Sequence, residues 1–196
     1  MELPELTVDM DGVLCRPILW FNLVVSRDVR RPPEIPAAAL HRRPQLHDRV
    51  AETHLGQTLR YAWRPPMPDV REGLAALADL RRLVLLSGRP ESARSATELW
   101  LKRHGLADYF SEVVLNDRHL PNAAFKLATA RERNVREHID DDGRVAFFLA
   151  QDAPRKVYLI SWRANAGLPY PPTVHRVRSL LQVAALIRQG QQRPEE

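Results

Sequence analysis

The chain has 196 residues, of which 44% are hydrophobic, a formal charge of +5 and one cysteine. That length suffices for one well-buried core with a small accessory element. The lone Cys15 excludes an intrachain disulfide, and the longest early apolar run, Ile18 to Val25, is broken by Asn22 and too short to cross a bilayer. With no basic, apolar leader ahead of the first strand, a cytoplasmic address is expected, with no membrane partner.

In chain order, Leu6-Thr7-Val8 reads as a buried strand that ends in Asp9-Met10-Asp11-Gly12-Val13-Leu14. Residues 16–65 follow as an irregular insertion, broken by Pro32, Pro33, Pro36, Pro44 and Pro65 around an expected helix from Leu46 to Trp63. A helix is predicted from Asp69, where Asp69-x-x-Glu72 resembles a capping box, with Leu74, Leu77 and Leu80 as its apolar stripe. Leu83–Leu86 is a strand ending in Ser87-Gly88-Arg89-Pro90, and Glu91–His104 a helix closed by Gly105. Next come a strand over Ser111–Leu115, a helix over Ala123–Asn134 and a strand over Val135–Ile139 that runs into Asp140-Asp141-Asp142. Arg144–Ala150 is a short helix, Lys156–Ile160 a fifth strand, Val174–Gln189 a last helix and residues 191–196 a disordered tail. This alternation predicts an α/β fold, a doubly wound, Rossmann-like parallel sheet with helices on both faces. Residues 1–15 and 66–190 would form its core, and residues 16–65 a small, mainly helical cap inserted after the first strand.

Two carboxylates at positions 9 and 11, just past a strand end, can converge on one site where such sheets bind ligands. One can attack phosphorus while the other gives and takes a proton. Gly12 permits the chain to leave the strand close to a ligand. Taken alone, Asp-x-Asp-Gly is equally an Asx-turn at a strand end.

The acid pair, the hydroxyl of Ser87, Lys126 and the acids from Asp140 to Asp142 occur in an order and at strand or helix ends that together resemble the haloacid dehalogenase superfamily of aspartate-nucleophile phosphotransferases. The resemblance spans roughly residues 5–15 and 68–165. It implies that Asp9 is the nucleophile and Asp11 the acid and base, and that Ser87 with the N–H groups after it, helped by the next helix's N-terminus, binds a phosphoryl oxygen. Lys126, one of only three lysines in the chain, would hold charge between nucleophile and phosphate. Met10, Gly88 and Arg89 would face substrate. The implied cofactor is Mg²⁺, on Asp9, the backbone carbonyl of Asp11 and Asp140 or Asp141, with Asp141 favoured as ligand and Asp140 orienting it. His138 reads as a packed core histidine and Cys15 as filler.

The implied activity is hydrolysis of a small phosphorylated metabolite or nucleotide. A dehalogenase lacks an acid at the position of Asp11, and a phosphonatase needs a cap lysine where residues 17–65 have none. The Asp-Met-Asp-Gly-Val-Leu start, short insertion and Ile-Asp-Asp motif look most like the deoxyribonucleotidase-like branch. Within residues 17–65, eight arginines stand against four acids, which suits an anionic substrate. Arg60 and Arg64, bracketing Tyr61 and Trp63, are the candidates for that contact. The alternatives are a mutase using the same residues, and a non-catalytic or nucleic-acid-binding module with an Arg-rich surface.

Overall fold

The computed structural model describes residues 2–16, 33 and 63–191. Six parallel strands form one sheet: β1 (Glu5–Val8), β2 (Arg82–Pro90), β3 (Phe110–Asn116), β4 (Glu137–Asp140), β5 (Lys156–Ile160) and β6 (Val174–Val177), in the order β3-β2-β1-β4-β5-β6. The chain winds outward through β2 and β3 on one side of β1 and through β4, β5 and β6 on the other. The order therefore reverses between β1 and β4, and open parallel sheets bind ligands at the carboxyl ends of the strands flanking such a point.

Alternation along the strands explains the two-sided burial. Leu6 and Val8, Leu83 and Leu85, and Tyr158 and Ile160 pack on one face. There they meet α1 (Val70–Ala78), α2 (Arg94–Arg103) and α5 (Leu180–Gln191) through Leu74, Leu77, Trp100, Val183 and Ile187. Val157 and Leu159 point the other way, to α3 (Asn122–Glu132) and α4 (Gly143–Asp152). Strands buried on both faces read as near-continuous apolar runs, as Leu83–Leu86 does. Among the described residues no helix is long and apolar enough to cross a membrane.

Five local expectations are corrected. Val174–Gln189 is not one helix: Val174–Val177 is the sixth strand, paired with β5, and α5 begins at Leu180. Asp69 makes no capping box, because its backbone is left-handed (φ 55°) and its side chain caps nothing. Glu91–Ala93 forms a 3₁₀ turn, so the α-helix after Ser87 starts only at Arg94. α3 ends at Glu132, two residues early, and β4 starts at Glu137, two residues late. The expected cap over residues 16–65, including its helix, Arg60 and Tyr61, lies almost wholly outside the described residues, as does the end of the tail.

Candidate active site

β1 delivers Asp9 just past its last residue, where its N–H donates to Ile139 O of β4 (2.9 Å). The chain then turns sharply: Leu14 and Cys15 N–H both donate to Met10 O, and Gly12 N–H to Cys15 O (2.8 Å). Gly12 has φ 85°, and a Cβ there would fall 1.9 Å from Asp141 Oδ2. Only glycine satisfies both the backbone and this approach of the loop after β4 to the loop after β1. Met10, expected to face substrate, is instead wholly buried in the core.

Asp9, Asp140 and Asp141 bring carboxylate oxygens within 4.8 Å of one another. Lys126, fully buried on α3, sits against two of them: Nζ is 2.7 Å from Asp9 Oδ1 and 2.8 Å from Asp140 Oδ2. At the start of α3 the Asn122 side chain packs on Gly88, where a Cβ would lie 2.2 Å from Asn122 Oδ1. Burial alone would drive the lysine toward neutrality, but the two aspartates reverse this and push its pKa up.

The three acids of the second cluster divide their tasks. Asp140 receives Lys126, His138 Nε2 (2.7 Å) and the Asp142 N–H (2.8 Å). Despite burial, Lys126 and His138 hold its carboxyl low. Asp142 caps α4 by accepting from Arg144 and Val145 N–H. Asp141 is 4% exposed, and burial with its neighbours Asp140 and Asp9 pushes its carboxyl well up. Asp9 is pushed up to about 7, first by burial and then by Asp140 and Asp11, against the pull of Lys126. Clustered buried acids with raised proton affinity are the environment a divalent cation relieves, and carboxylate oxygens suit the hard Mg²⁺ ion. With Asp140 engaged by three donors, the oxygens of Asp9 and Asp141 are the ones that fit.

Beneath the acids lies a layer that sequence reading did not assign to the site. His138 is fully buried, its Nδ1 2.8 Å from the Thr7 hydroxyl, and burial lowers its pKa. Asn165 Nδ2 donates to Asp141 O (2.9 Å) and Ile160 O (2.8 Å), tying the Asp141 loop to the end of β5. Asn165 leaves no signal in the sequence because its partner Asp141 lies 24 residues away, although Ile160 is only five residues before it.

Asp11 is not in the acid cluster. Arg89 donates to it in a fork, Nε to Oδ2 (2.8 Å) and Nη2 to Oδ1 (2.7 Å), while Arg64 and the Cys15 thiol also donate to Oδ1. Burial raises its pKa, but Arg89 and then Arg64 outweigh this and hold the carboxyl well below its ordinary range. Arg89, expected on substrate, is thus turned to Asp11 and buried. The cause is a bulge: Ser87 pairs with Leu115 and Pro90 with Asn116, so Gly88 and Arg89 are extra residues in β2. Arg64, expected to contact substrate from the cap, also donates to Arg16 O (2.8 Å), while Trp100 Nε1 donates to Arg64 O (2.6 Å). Ser87 is buried at the same end of β2 and its Oγ accepts from Arg89 N–H (3.4 Å). Trp63 is exposed, with the Arg103 guanidinium 4.6 Å from its ring centre.

Solved structures share this fold. An L-2-haloacid dehalogenase from Xanthobacter autotrophicus superposes with a TM-score of 0.51 at 16% identity, over 95% of this chain and 98% of that one. The chain has the haloacid dehalogenase-like fold. A candidate β-phosphoglucomutase from Thermotoga maritima gives 0.55 at 18% identity, over 95% and 99% of the two chains. A candidate hydrolase of this fold from Bacillus subtilis, solved bound to magnesium, gives 0.56 at 13% identity, over 96% and 100%. No family model matches the sequence, and no curated protein matches it.

Proposed function

We propose that the protein is a Mg²⁺-dependent phosphomonoester hydrolase that works through an aspartyl-phosphate on Asp9. The observation that carries this reading is the contact of buried Lys126 with Asp9, beside a second carboxylate, Asp11, held two residues further on. A phosphate dianion repels a carboxylate nucleophile, so positive charge at the nucleophile is the first requirement. Lys126 supplies one such charge. Mg²⁺ held by Asp9 and Asp141 with the Asp11 backbone carbonyl would supply the rest, neutralising the phosphoryl oxygens.

Asp9 attacks phosphorus as the bond to the leaving oxygen breaks, and Asp11 passes a proton to that oxygen. Two negative charges arriving with the phosphoryl group raise the proton affinity of Asp11 against the pull of its arginines. Asp11 then takes a proton from the water that attacks the aspartyl-phosphate, and inorganic phosphate departs with Asp9 restored. Ser87 and the Gly88 N–H would donate to a phosphoryl oxygen. Asp140 and His138 keep Lys126 and the loop in place.

Asp11 separates this chemistry from halide displacement, whose leaving group needs no proton. The absence of lysine in residues 17–65 leaves no amine there for a phosphonatase Schiff base. The substrate class is a small phosphorylated metabolite or nucleotide, and a nucleotidase-like preference accords with the arginine-rich insertion. The test is phosphate release from sugar phosphates, nucleotides and short phosphorylated oligonucleotides with Mg²⁺ and with chelator, beside chloride release from 2-chloropropionate. Mg²⁺-dependent phosphate release with no chloride is expected. Chloride release, or full phosphatase activity in chelator, would overturn it.

A further inference from the structure

We infer that Arg89 is a positioning residue for proton transfer by Asp11, an inference that rests on the phosphatase reading above. Three features of the geometry carry it. The guanidinium meets the carboxylate through two nearly equal contacts, 2.8 Å to Oδ2 and 2.7 Å to Oδ1, the planar match that fixes an orientation as well as a distance. The Arg89 side chain is 1% exposed and anchored at its far nitrogen, where Nη1 donates to Thr97 Oγ1 on α2 (3.2 Å) and Nη2 lies 3.5 Å from Cys15 Sγ. The Asp11 side chain remains one-third exposed while its holder is enclosed.

The two oxygens of Asp11 are not equivalent. Oδ1 accepts from Arg89, Arg64 and Cys15, whereas among the described residues Oδ2 accepts from Arg89 Nε alone. Oδ2 therefore has lone-pair capacity left for a proton, and Arg89 determines where that oxygen points. The bulge in β2 is what gives Arg89 this reach, since a regular strand would carry residue 89 in alternation with its neighbours rather than across to the loop after β1. The device is thus local: an extra pair of residues beside the phosphate-binding hydroxyl orients the acid and base of the same site.

The experiment compares kcat/KM for 4-nitrophenyl phosphate, whose leaving group departs without help, and for glycerol phosphate, whose alkoxide needs a proton. This ratio covers only the steps through phosphoenzyme formation. Arg89→Met is expected to lower kcat/KM at least about 100-fold on glycerol phosphate but less than about tenfold on the nitrophenyl ester, the scale of one misplaced general acid. Arg89→Lys keeps the charge without the fork and is expected to lose at least about tenfold on glycerol phosphate. Thr97→Val, which removes only the anchor, should shift the ratio in the same direction by about threefold, and it decides the matter if the Arg89 variants do not fold. Equal losses on both esters, or an Arg89→Lys enzyme that matches wild type, would overturn the inference and leave the phosphatase reading standing. So would a wild type that turns over only the nitrophenyl ester. Failure of the wild type to release phosphate from either ester would overturn both.

Discussion

Lys126 and Asp9 form a buried ion pair at 2.7 Å, with the lysine entirely enclosed and the carboxylate almost so. A lone buried ammonium would be costly, and what stabilises it is the second carboxylate, Asp140, on its other side. Removing the lysine leaves two buried carboxylates unbalanced. Lys126→Met is therefore expected to abolish turnover and also to destabilise the fold, by about 3–5 kcal/mol, as read from denaturant midpoints.

Asp9→Asn separates chemistry from stability. The amide cannot attack phosphorus, so phosphate release should fall at least about a thousandfold. The folded-state pKa of Asp9 is raised to about 7, so between the unfolded value near 3.8 and 7 the native state binds more protons than the unfolded one. Stability therefore falls as pH rises through that window. Without metal, Asp9→Asn should melt about 2–6 °C above wild type at pH 8, the difference shrinking toward pH 4. A variant less stable than wild type at pH 8 would show that the charge on Asp9 is not disfavoured.

Mg²⁺ should reverse that penalty. At a hundredfold excess over its dissociation constant, a ligand of the native state adds about 2.7 kcal/mol, or roughly 5–10 °C for a domain of this size. The shift in thermal midpoint is expected at pH 8, to diminish at pH 5 where protons compete for Asp9 and Asp141, and to be lost in Asp141→Asn. A shift unchanged in that variant would move the metal elsewhere.

Gly12→Ala tests the approach of the two acidic loops. The added methyl would lie on the Asp141 carboxylate at a positive φ, so both the loop and the cluster must shift. A loss of about 1–3 kcal/mol and at least about tenfold weaker Mg²⁺ binding are expected, by denaturant titration and calorimetry.

Asn165→Ala removes the donor to Asp141 O and Ile160 O, leaving two buried carbonyls unsatisfied. The expected cost is about 2 kcal/mol, or roughly 4–8 °C in thermal midpoint, with weaker Mg²⁺ binding in step. An unchanged midpoint would mean that the loop holds Asp141 without it.

The sheet was legible because buried strands carry their signal in composition. Leu83–Leu86 and Lys156–Ile160 read as strands without reference to anything else in the chain. Val174–Val177 did not, because four residues give no period, and the apolar pattern of Leu180–Ile187 extended over them. Asp9, Asp11, Lys126 and the acids at 140–142 were visible as types at strand and helix ends. Which acid does what was not, since the division depends on Lys126 and His138 reaching Asp140 and on Asp142 capping α4. Arg89 read as a substrate-facing residue because nothing in Ser87-Gly88-Arg89-Pro90 announces a bulge. The pairing with Asp11 is made in space, across 78 residues of chain.

β1 is four residues long and lies at the centre of the sheet, paired with residues 82–85 on one side and with His138 and Ile139 on the other. Asp9 therefore has no fixed position until a strand some 130 residues later has closed against β1. Loops of that length close slowly, and parallel pairing gains nothing before closure. Phosphate release on refolding should thus return only with the final cooperative phase. A chain truncated before β4 would carry Asp9, Asp11 and Lys126 with no frame in which they could meet.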